Sequence, residues 1–278
     1  MQTLSQDRKK DIGDRIEQEA PGEDRISLSL ARRIAEEEGL RLLTVEYVAL
    51  QRGFVPRRYE PNMGTLGRNG QLTLLESSAA VVGLGGLGGN VLESLARLGC
   101  GRIVGIDPDR FEESNLNRQV LAGTHNLGKL KTEAAAARTE QINPAVQFAG
   151  HSETIQNAGS RALENCSVAL DCLDSIEARR HLARACTRAN VPLIHGAVAG
   201  WSGQVAVCED AEGVIDKLYA GNPEGLEDRL GNMGVTPAVA ANLMVARAVR
   251  LLLDITAPPT GQVLFMDLLN DEWRVVQL

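Results

Sequence analysis

Short apolar runs alternate with helical patterns from about residue 76 onward. The apolar runs predict five strands, at 79–82, 102–107, 145–149, 168–171 and 192–195. Between them, apolar residues at helical spacing predict helices at about 89–98, 129–142, 153–165 and 175–189. Strands that alternate with helices in this way predict a parallel sheet with helices on both of its faces.

The pattern changes after the fifth strand. A further strand at 203–208 leads into a Gly-rich loop, and a strongly apolar helix is expected near 236–253. Two closing strands, 262–267 and 272–277, would form a hairpin at the sheet edge. The expected fold class is therefore α/β, a Rossmann-like doubly wound, mostly parallel sheet that ends in antiparallel strands.

The N-terminal part of the chain has a different texture. We expect a small helical extension at 1–57 and one main domain at 58–278. Residues 1–26 are polar and predict either a loosely ordered segment or a solvated helix. A Pro- and Gly-rich stretch, 54–75, leads into the main domain.

Residues 27–53 predict two short helices. Ser27 or Ser29 would cap the first and Thr44 the second. Such a pair is either a small DNA-reading helix-turn-helix or a packing appendage. The acidic run at 36–38 favours the appendage.

Charge and cysteine use exclude several classes of protein. The 278 residues carry a net charge of −7, which argues against a nucleic-acid surface. The charged N-terminus is unlike a secretory signal, and no apolar run approaches the roughly 18 residues of a membrane span. The five cysteines form no CxxC pair, so we expect no disulfide framework, no zinc site and a reducing, cytoplasmic compartment.

The glycines cluster after the first strand of the main domain. Gly83, Gly85 and Gly88 match the dinucleotide-fold fingerprint, in which glycines permit a tight turn, close approach to phosphate and close helix–strand packing. Gly86 belongs to the same loop, and the following helix N-terminus favours an anion. Asp107 lies 19 residues after Gly88, where a carboxylate would receive ribose hydroxyls.

The residues beyond this loop argue against a nicotinamide cofactor. Asn115, Arg118 and Gln119 follow the second strand, Lys131 opens the next helix, and Asp174 follows the fourth strand. In an open α/β sheet these positions meet at the ligand edge. Arg and Lys offset phosphate charge, and an Asp with waters can hold Mg²⁺. The set therefore indicates ATP with Mg²⁺.

Seven strings occur along residues 58–278, namely RYEPNMGTLGRNGQ, VVGLGGLGG, IDPDRFEESNLNRQ, GKLKTE, LDCLD, HGAVAGWSGQV and GVTPAVAANLMVARAVRLLL. On these strings the chain resembles the HesA/MoeB/ThiF family of ubiquitin-activating-like adenylyltransferases. The resemblance implies ATP-dependent adenylation of the C-terminal Gly-Gly carboxylate of a ubiquitin-like sulfur-carrier protein, with loss of pyrophosphate. It also implies a homodimer.

The resemblance assigns roles to single residues. The Gly-rich loop would bind the ATP phosphates, and Asp107 with its neighbour Asp109 would bind the ribose. Asn115, Arg118 and Lys131 would contact the triphosphate.

Asp174 would position Mg²⁺. The carrier tail would lie under the crossover segment at 209–232, in a channel lined by Gly196, Gly200 and Gly203.

Three departures from the family pattern carry expectations of their own. The CxxC pairs of zinc-binding relatives are missing, so packing alone would hold the crossover segment. That segment has no cysteine, and Cys208 just before it is expected to be structural, which favours an adenylate-only enzyme. The third departure lies in the lead-in motif, Arg58–Asn62, where Pro61 stands in place of the second arginine of the relatives' RYxRQ. The phosphate contact that relatives often make across the dimer would then be lost or supplied by Arg57 or Arg68.

Other interpretations stay open. The adenylated acceptor could be that of a tRNA threonylcarbamoyladenosine dehydratase-like enzyme or a peptide, and a non-catalytic nucleotide-binding scaffold is a further alternative. Arg118 could pair with Glu112 or Glu113, and Asp171 could buttress a loop. The sequence identifies neither the sulfur donor nor the role of residues 1–57.

Overall fold

An eight-stranded mixed sheet organises the main domain. The computed structural model describes residues 4–221, 230–256 and 261–278. Its strands are β1 (Arg25–Ile26), β2 (Val55–Pro56), β3 (Ser78–Val82), β4 (Arg102–Ile106), β5 (Gln147–His151), β6 (Val168–Asp171), β7 (Leu193–Ala199), β8 (Ser202–Cys208), β9 (Gln262–Asp267) and β10 (Glu272–Gln277). The order β10-β9-β8-β7-β6-β3-β4-β5, parallel from β7 to β5, confirms the predicted fold class.

Helices cover both faces of this sheet. They are α1 (Gln6–Glu19), α2 (Leu28–Glu37), α3 (Leu42–Arg52), α4 (Met63–Glu76), α5 (Gly86–Leu98), α6 (Lys131–Ile142), α7 (Ile155–Ala158), α8 (Ile176–Ala189), α9 (Ala211–Leu218) and α10 (Val235–Leu252). Helices α5, α6 and α10 share one apolar core with the sheet, and α7, α8 and α9 share the other. All five residues of β3 are buried, as expected for a strand covered on both faces.

Several predicted elements differ from the structure at glycines and turns. The helix expected at 153–165 is split at Gly159, whose φ of 59° breaks α7 from a following 3₁₀ turn. Strand β5 begins two residues later than expected because Asn143 holds Ala145 in a turn through its side-chain oxygen. The Gly-rich lead-in contains α4, interrupted at Gly67, and the expected loop after β8 contains α9.

The N-terminal residues form a small module with its own core. Helix α1 is a regular helix capped by Ser5, so of the two alternatives for this segment the helix is confirmed and the loosely ordered segment is wrong. Ser27 caps α2 as predicted, whereas α3 already begins at Leu42 and Thr44 lies buried inside it. Apolar side chains of the three helices and β1 pack together in this module.

The module is built to pack rather than to read DNA. Residues 43–50 of α3, the second helix of the predicted pair, are all buried. A recognition helix must instead present a free face to the major groove. The arginines are also neutralised, since Arg8 and Arg15 pair with Glu38 and Arg52 pairs with Asp14. The structure therefore favours the packing appendage.

A buried polar cluster joins the module to the main domain. The Arg58 guanidinium lies 2.5 Å from the Glu46 carboxylate and donates to the Asn143 side chain at 3.1 Å. Asn143 in turn donates to the Tyr59 hydroxyl at 2.8 Å. Arg58 and Tyr59 are therefore structural residues at this junction, although they belong to the lead-in motif.

We expect a pH-dependent stability that Glu46→Gln removes. Burial raises the pKa of Glu46 from 4.5 to about 7, while Arg58 opposes that shift. Between these values the folded chain holds a proton that the unfolded chain releases, so this group's contribution to the free energy of unfolding falls as pH rises.

The measurement is the melting temperature of wild type and Glu46→Gln from pH 5 to pH 8. The melting temperature of the variant relative to that of the wild type should rise by several degrees from pH 5 to pH 8. Taking the difference between the two proteins cancels the titration of all other groups. Parallel curves would contradict the proton binding at Glu46.

Helix α10 is the most apolar helix of the main domain. Its length and composition alone would allow a membrane span, contrary to the expectation that no segment comes near one. In the structure Ala240, Met244 and Ala248 are fully buried, and the helix packs on α5, β7 and β8. We therefore interpret α10 as a core helix of the α/β domain.

Candidate active site

The glycine loop joins β3 to α5 at the carboxyl edge of the sheet. Gly83 has a φ of 89°, and a Cβ there would lie 2.6 Å from the Cys172 carbonyl oxygen. A Cβ on Gly88 would lie 1.7 Å from the Gly83 carbonyl oxygen. Gly85 and Gly86, in contrast, would meet nothing closer than about 3.5 Å. The first pair thus serves the turn and helix packing, while a Cβ at either residue of the second pair would make only ordinary contacts, and both of these glycines line the cavity.

Asp107 ends β4 beside this loop and is almost fully buried. Its carboxylate accepts from the backbone nitrogens of Leu84 and Asp109 at 2.6 and 2.8 Å. Burial raises the pKa of Asp107, and the nearby Lys131 opposes that rise. The Lys131 ammonium lies 3.7 Å from Asp107 and 2.8 Å from Asp109. Lys131 is only 6% exposed, so it is not a solvated first-turn lysine.

Arg118 and Gln119 complete the same wall of the cavity. Arg118 donates to the Ser114 carbonyl and the Asn117 side chain, both at 2.9 Å. Within the described ranges it makes no ion pair, so neither alternative glutamate partner holds it. The buried Gln119 Oε1 has no hydrogen-bond partner there either. Both side chains therefore retain capacity for a ligand.

Asn115 lies away from this cavity. Its side-chain oxygen accepts from the Glu112 backbone nitrogen at 3.1 Å and thereby closes a 3₁₀ turn. The structure thus gives Asn115 a role in shaping the segment that presents Arg118. A direct triphosphate contact by Asn115 is not part of the geometry.

The two aspartates after β6 have different surroundings. Asp174 is exposed on the cavity wall and forms no hydrogen bond or ion pair with any residue the structure describes. Asp171 is fully buried, accepts from the Leu173 backbone nitrogen at 3.1 Å and lies 2.7 Å from His195 Nδ1. Asp174 is therefore available to a cation, and Asp171 buttresses the loop that carries it.

A buried polar network behind this loop escaped the sequence prediction. Burial lowers the pKa of His195, so its neutral ring donates from Nδ1 to Asp171. Its Nε2 lies 3.2 Å from the Tyr219 hydroxyl, and Arg179 donates to that hydroxyl at 2.9 Å. One sequence feature could have indicated this network, namely that Arg179 lies five residues after Asp174 on the following helix.

These groups surround one cavity of about 380 Å³. Its lining includes most of the predicted site residues, namely Gly83, Gly85, Gly86, Asp107, Asp109, Arg118, Gln119, Lys131 and Asp174. Gly88 and Asn115 are the two predicted residues outside that lining. The cavity lies at the ends of β3 and β6, whose following connections run to opposite sides of the sheet, and this is the usual ligand crevice of such sheets.

The residues present fit a nucleotide with Mg²⁺. Gly85 and Gly86 line the cavity without a side chain, and together with the unpartnered Gln119 oxygen they suit a polar ligand lying close to the backbone. In the part of the chain the structure describes, no three His, Cys, Asp or Glu side chains cluster as metal ligands. Mg²⁺ does not need such a cluster, because it prefers one or two carboxylates with waters and phosphate oxygens.

The region expected to hold the carrier tail is partly filled by protein. A Cβ on Gly196 would lie 2.2 Å from the Met244 sulfur, and one on Gly203 would lie 2.3 Å from the Met266 methyl. These two glycines therefore make room for core methionines rather than line a channel. Gly200 binds the crossover segment through the Gly231 carbonyl at 2.8 Å. Residues 222–229 of that segment lie outside the described residues.

The other residues singled out by sequence have structural surroundings. Cys208 is fully buried in β8, and burial raises its pKa to about 12, which confirms a structural cysteine. Arg57 pairs with Glu23, and Arg68 lies beside Gly53 at the N-terminal module. Neither arginine lines the cavity of its own chain, so neither supplies a phosphate contact there.

The doubly wound sheet, the glycine loop and the switch-point cavity define a nucleotide-binding α/β protein. Residues 59–278 match the ThiF family, and the chain belongs to that family. A sulfur carrier protein ThiS adenylyltransferase of Escherichia coli is 31% identical over 76% of this chain and 85% of its own. A sulfur carrier protein adenylyltransferase of Thermus thermophilus is 33% identical over 75% and 81%. The protein is accordingly an adenylyltransferase.

Solved structures share the fold at lower identity. PaaA has a TM-score of 0.67 at 19% identity, covering 80% of this chain and 82% of its own. E. coli MccB with MccA-N7isoASN has a TM-score of 0.63 at 21% identity, covering 79% and 72%. E. coli tRNA N6-threonylcarbamoyladenosine dehydratase, TcdA, scores 0.61 at 22% identity, covering 71% and 95%. These likenesses concern the architecture.

Proposed function

We propose that this enzyme adenylates the C-terminal Gly-Gly carboxylate of a ubiquitin-like sulfur-carrier protein, using ATP and Mg²⁺. The observation that carries the proposal is one cavity that joins the glycine loop to Lys131, Arg118 and the unpaired Asp174. The sulfur-carrier names of the relatives support the choice of acceptor. We place the enzyme in a reducing cytoplasm, as a homodimer.

Different residues of the cavity would bind different parts of the nucleotide. Asp107 lies at the ribose end, with its carboxylate fixed by two backbone nitrogens. The triphosphate would run over Gly85 and Gly86 towards Arg118, which carries no competing carboxylate among the described residues. Lys131 would meet it from the opposite side. This arrangement suits a triphosphate with about four negative charges that must be brought next to the negatively charged carboxylate of the tail.

The proposed reaction is a displacement at phosphorus. A carboxylate oxygen of the tail forms a bond to the α-phosphorus, and the bond from that phosphorus to the bridging oxygen breaks. Pyrophosphate leaves with the bonding electron pair, and the tail becomes an acyl-adenylate. No general base is needed, because a carboxylate is ionised at neutral pH. The enzyme's task is to align the two anions and to offset the charge that develops on the phosphates.

Asp174 and the backbone of the glycine loop would flank the reacting phosphate. When bound, Mg²⁺ would neutralise phosphate charge and orient the leaving group. Asp174 is suited to hold it, because its carboxylate is exposed to the cavity and has no partner in the described chain. Lys131 and Arg118 would offset the charge that remains on the pyrophosphate.

The test is exchange of labelled pyrophosphate into ATP in the presence of a panel of carriers. The panel contains several Gly-Gly-tailed ubiquitin-like proteins, each with a matched version that lacks the terminal glycine. Exchange that requires one carrier and its terminal glycine supports the proposal. Exchange with a peptide ending in another residue, or with a modified tRNA, would assign the enzyme to another acceptor. Nucleotide binding without exchange on any acceptor would contradict catalysis.

Asp174→Asn should abolish the exchange without loss of fold. The substitution removes the negative charge of a cavity carboxylate that has no partner among the described residues, and it keeps the shape of the side chain. We expect the rate to fall about a hundredfold or more at saturating Mg²⁺. The matched control is Asp24→Asn, which alters an exposed carboxylate on the N-terminal module. Wild-type exchange in Asp174→Asn would show that the metal is held elsewhere.

A further inference from the structure

The loop that carries Asp174 is fixed by a group from outside it. Arg179, on α8, is buried and donates from Nη2 to the Leu173 carbonyl oxygen at 2.6 Å. The same loop is held at its start by the Asp171 carboxylate, which accepts from the Leu173 backbone nitrogen. Ser175 caps α8 directly after Asp174. The backbone on both sides of Asp174 therefore has defined partners, although its side chain has none.

Arg179 is itself held by a residue far along the chain. Its Nη1 donates to the Tyr219 hydroxyl at 2.9 Å, and its guanidinium lies 5.3 Å from the centre of the Tyr219 ring. Tyr219 is the residue at the C-terminal end of α9, where the crossover segment continues. Tyr219 thus helps to orient Arg179, together with the Asp171 carboxylate, which lies 3.8 Å from Arg179 Nε.

The contacts around the Tyr219 oxygen close a circuit. The oxygen lies 3.2 Å from His195 Nε2 and accepts from Gln204 at 3.1 Å. His195 Nδ1 lies 2.7 Å from Asp171, whose other oxygen binds the Leu173 nitrogen. Register places His195 opposite Asp171 on the neighbouring strand. The circuit therefore begins and ends on the loop that carries Asp174.

The same circuit anchors the crossover segment at its start. The far side of that segment is held separately, by the bond of Gly200 to Gly231 and by Asn117, which donates to the Asn232 carbonyl at 3.0 Å. The sequence predicts that packing alone holds this segment, but hydrogen bonds also hold both of its described ends. Tyr219 is the point at which this segment and the Asp174 loop share a fixed contact.

We propose that Tyr219 and His195 are positioning residues for the metal carboxylate, acting through Arg179 and the Leu173 carbonyl to fix where Asp174 faces the cavity. This inference rests on the proposed function for its activity readout. Neither side chain is among the residues that line the cavity, so neither is expected to touch nucleotide. Groups that orient a metal ligand from behind commonly change metal affinity by about ten- to a hundredfold when altered.

The test is a titration of Mn²⁺, followed by its paramagnetic signal, in the presence of saturating α,β-methylene-ATP. Tyr219→Phe keeps the ring and removes only the hydroxyl. His195→Asn keeps a donor towards Asp171, because the amide nitrogen replaces Nδ1, but it cannot reach Tyr219. We expect each variant to weaken Mn²⁺ binding about three- to tenfold. The double variant should lose little more than either single one, because both break the same circuit.

Tyr47→Phe is the matched control, since it removes the hydroxyl of another largely buried tyrosine, in the N-terminal module. It should leave Mn²⁺ binding unchanged. Metal-free binding of the nucleotide analogue, followed by calorimetry, should be the same in all variants. Unchanged Mn²⁺ affinity in Tyr219→Phe would overturn the inference, and so would an equal loss of metal-free nucleotide binding. Pyrophosphate exchange, where a carrier supports it, should show a raised requirement for Mg²⁺ with a near-normal maximal rate.

The titration needs no carrier protein. If no acceptor supports exchange, the proposed function fails while the Mn²⁺ titration still decides the positioning role. If exchange is normal and the titration does not respond to Tyr219→Phe, the proposed function stands and the inference fails.

Discussion

We expect Lys131→Gln to lower ATP–pyrophosphate exchange about a hundredfold or more, because a buried positive charge beside the proposed triphosphate site is lost. Lys131 is 6% exposed, and its ammonium lies 3.7 Å from Asp107 and 2.8 Å from Asp109 at the cavity wall. A cation at the first turn of α6 opposes the helix dipole, so this position is unfavourable unless nearby anions compensate. The two carboxylates supply part of that compensation, and bound phosphate would supply the rest.

The control for this prediction lies two residues earlier. Lys129→Gln removes an exposed lysine whose side chain does not line the cavity, and the exchange rate should not change. Both variants carry the same change in net charge, so a general electrostatic effect on the acidic chain cancels between them. Thermal unfolding of both proteins separates a loss of catalysis from a loss of fold. Equal exchange rates in the two variants would contradict a role of Lys131 in binding the phosphates.

Gly88→Ala has the largest expected effect on stability. Its Cβ would lie 1.7 Å from the Gly83 carbonyl oxygen and 3.3 Å from Cys172 Cβ, at the point where α5 packs on β3. A backbone carbonyl cannot move aside like a flexible side chain, so the helix must shift as a whole. Overpacking of this kind costs about 3 kcal/mol or more. We expect a melting temperature lower by well over ten degrees or no soluble protein.

Gly86→Ala is the matched variant in the same loop. Its Cβ would lie 3.5 Å from Pro237, an ordinary contact, and alanine is a better helix residue than glycine at the start of α5. The variant should therefore melt at or above the wild-type temperature while its affinity for ATP falls, because the methyl group enters the space above the loop. Isothermal titration with ATP and a thermal melt of each variant check both statements. Similar melting temperatures in the two variants would contradict the packing role of Gly88.

Local patterns in the sequence were sufficient for much of the fold and for the residues that follow single strands. Gly83, Asp107 and Asp174 each come directly after or close behind a strand whose apolar run is clear, and parallel register then brings them to one edge. Lys131 was predictable for the same reason, since it begins the helix after that edge. The structure departs from the prediction at residues whose contacts the strand pattern does not reveal. Asn115, for example, closes a local turn with Glu112 and does not line the cavity.

The polar circuit behind Asp174 shows why the rest could not be predicted. Tyr219 and Asp171 are linked through His195 and Arg179 only because β6 and β7 are adjacent in a fixed register and α9 packs against α8. No local pattern identifies Tyr219 as a member of the network, because it lies in a stretch that the sequence pattern predicts to be a Gly-rich loop. The glycines at 196 and 203 misled in the same way, since the methionines that fill their space come from α10 and β9.

The junction formed by Glu46, Arg58 and Asn143 limits how modular this chain can be. A boundary between residues 57 and 58 is natural on composition, yet it separates the buried Glu46 from Arg58, which donates to it. A main domain taken alone would keep the mostly buried charge of Arg58 and lose its partner, and removing one partner of such a contact is strongly destabilising. Recombination with a relative that lacks the helical module would therefore have to replace Arg58 as well. Because of this contact, the helical module and the main domain cannot be exchanged independently of each other.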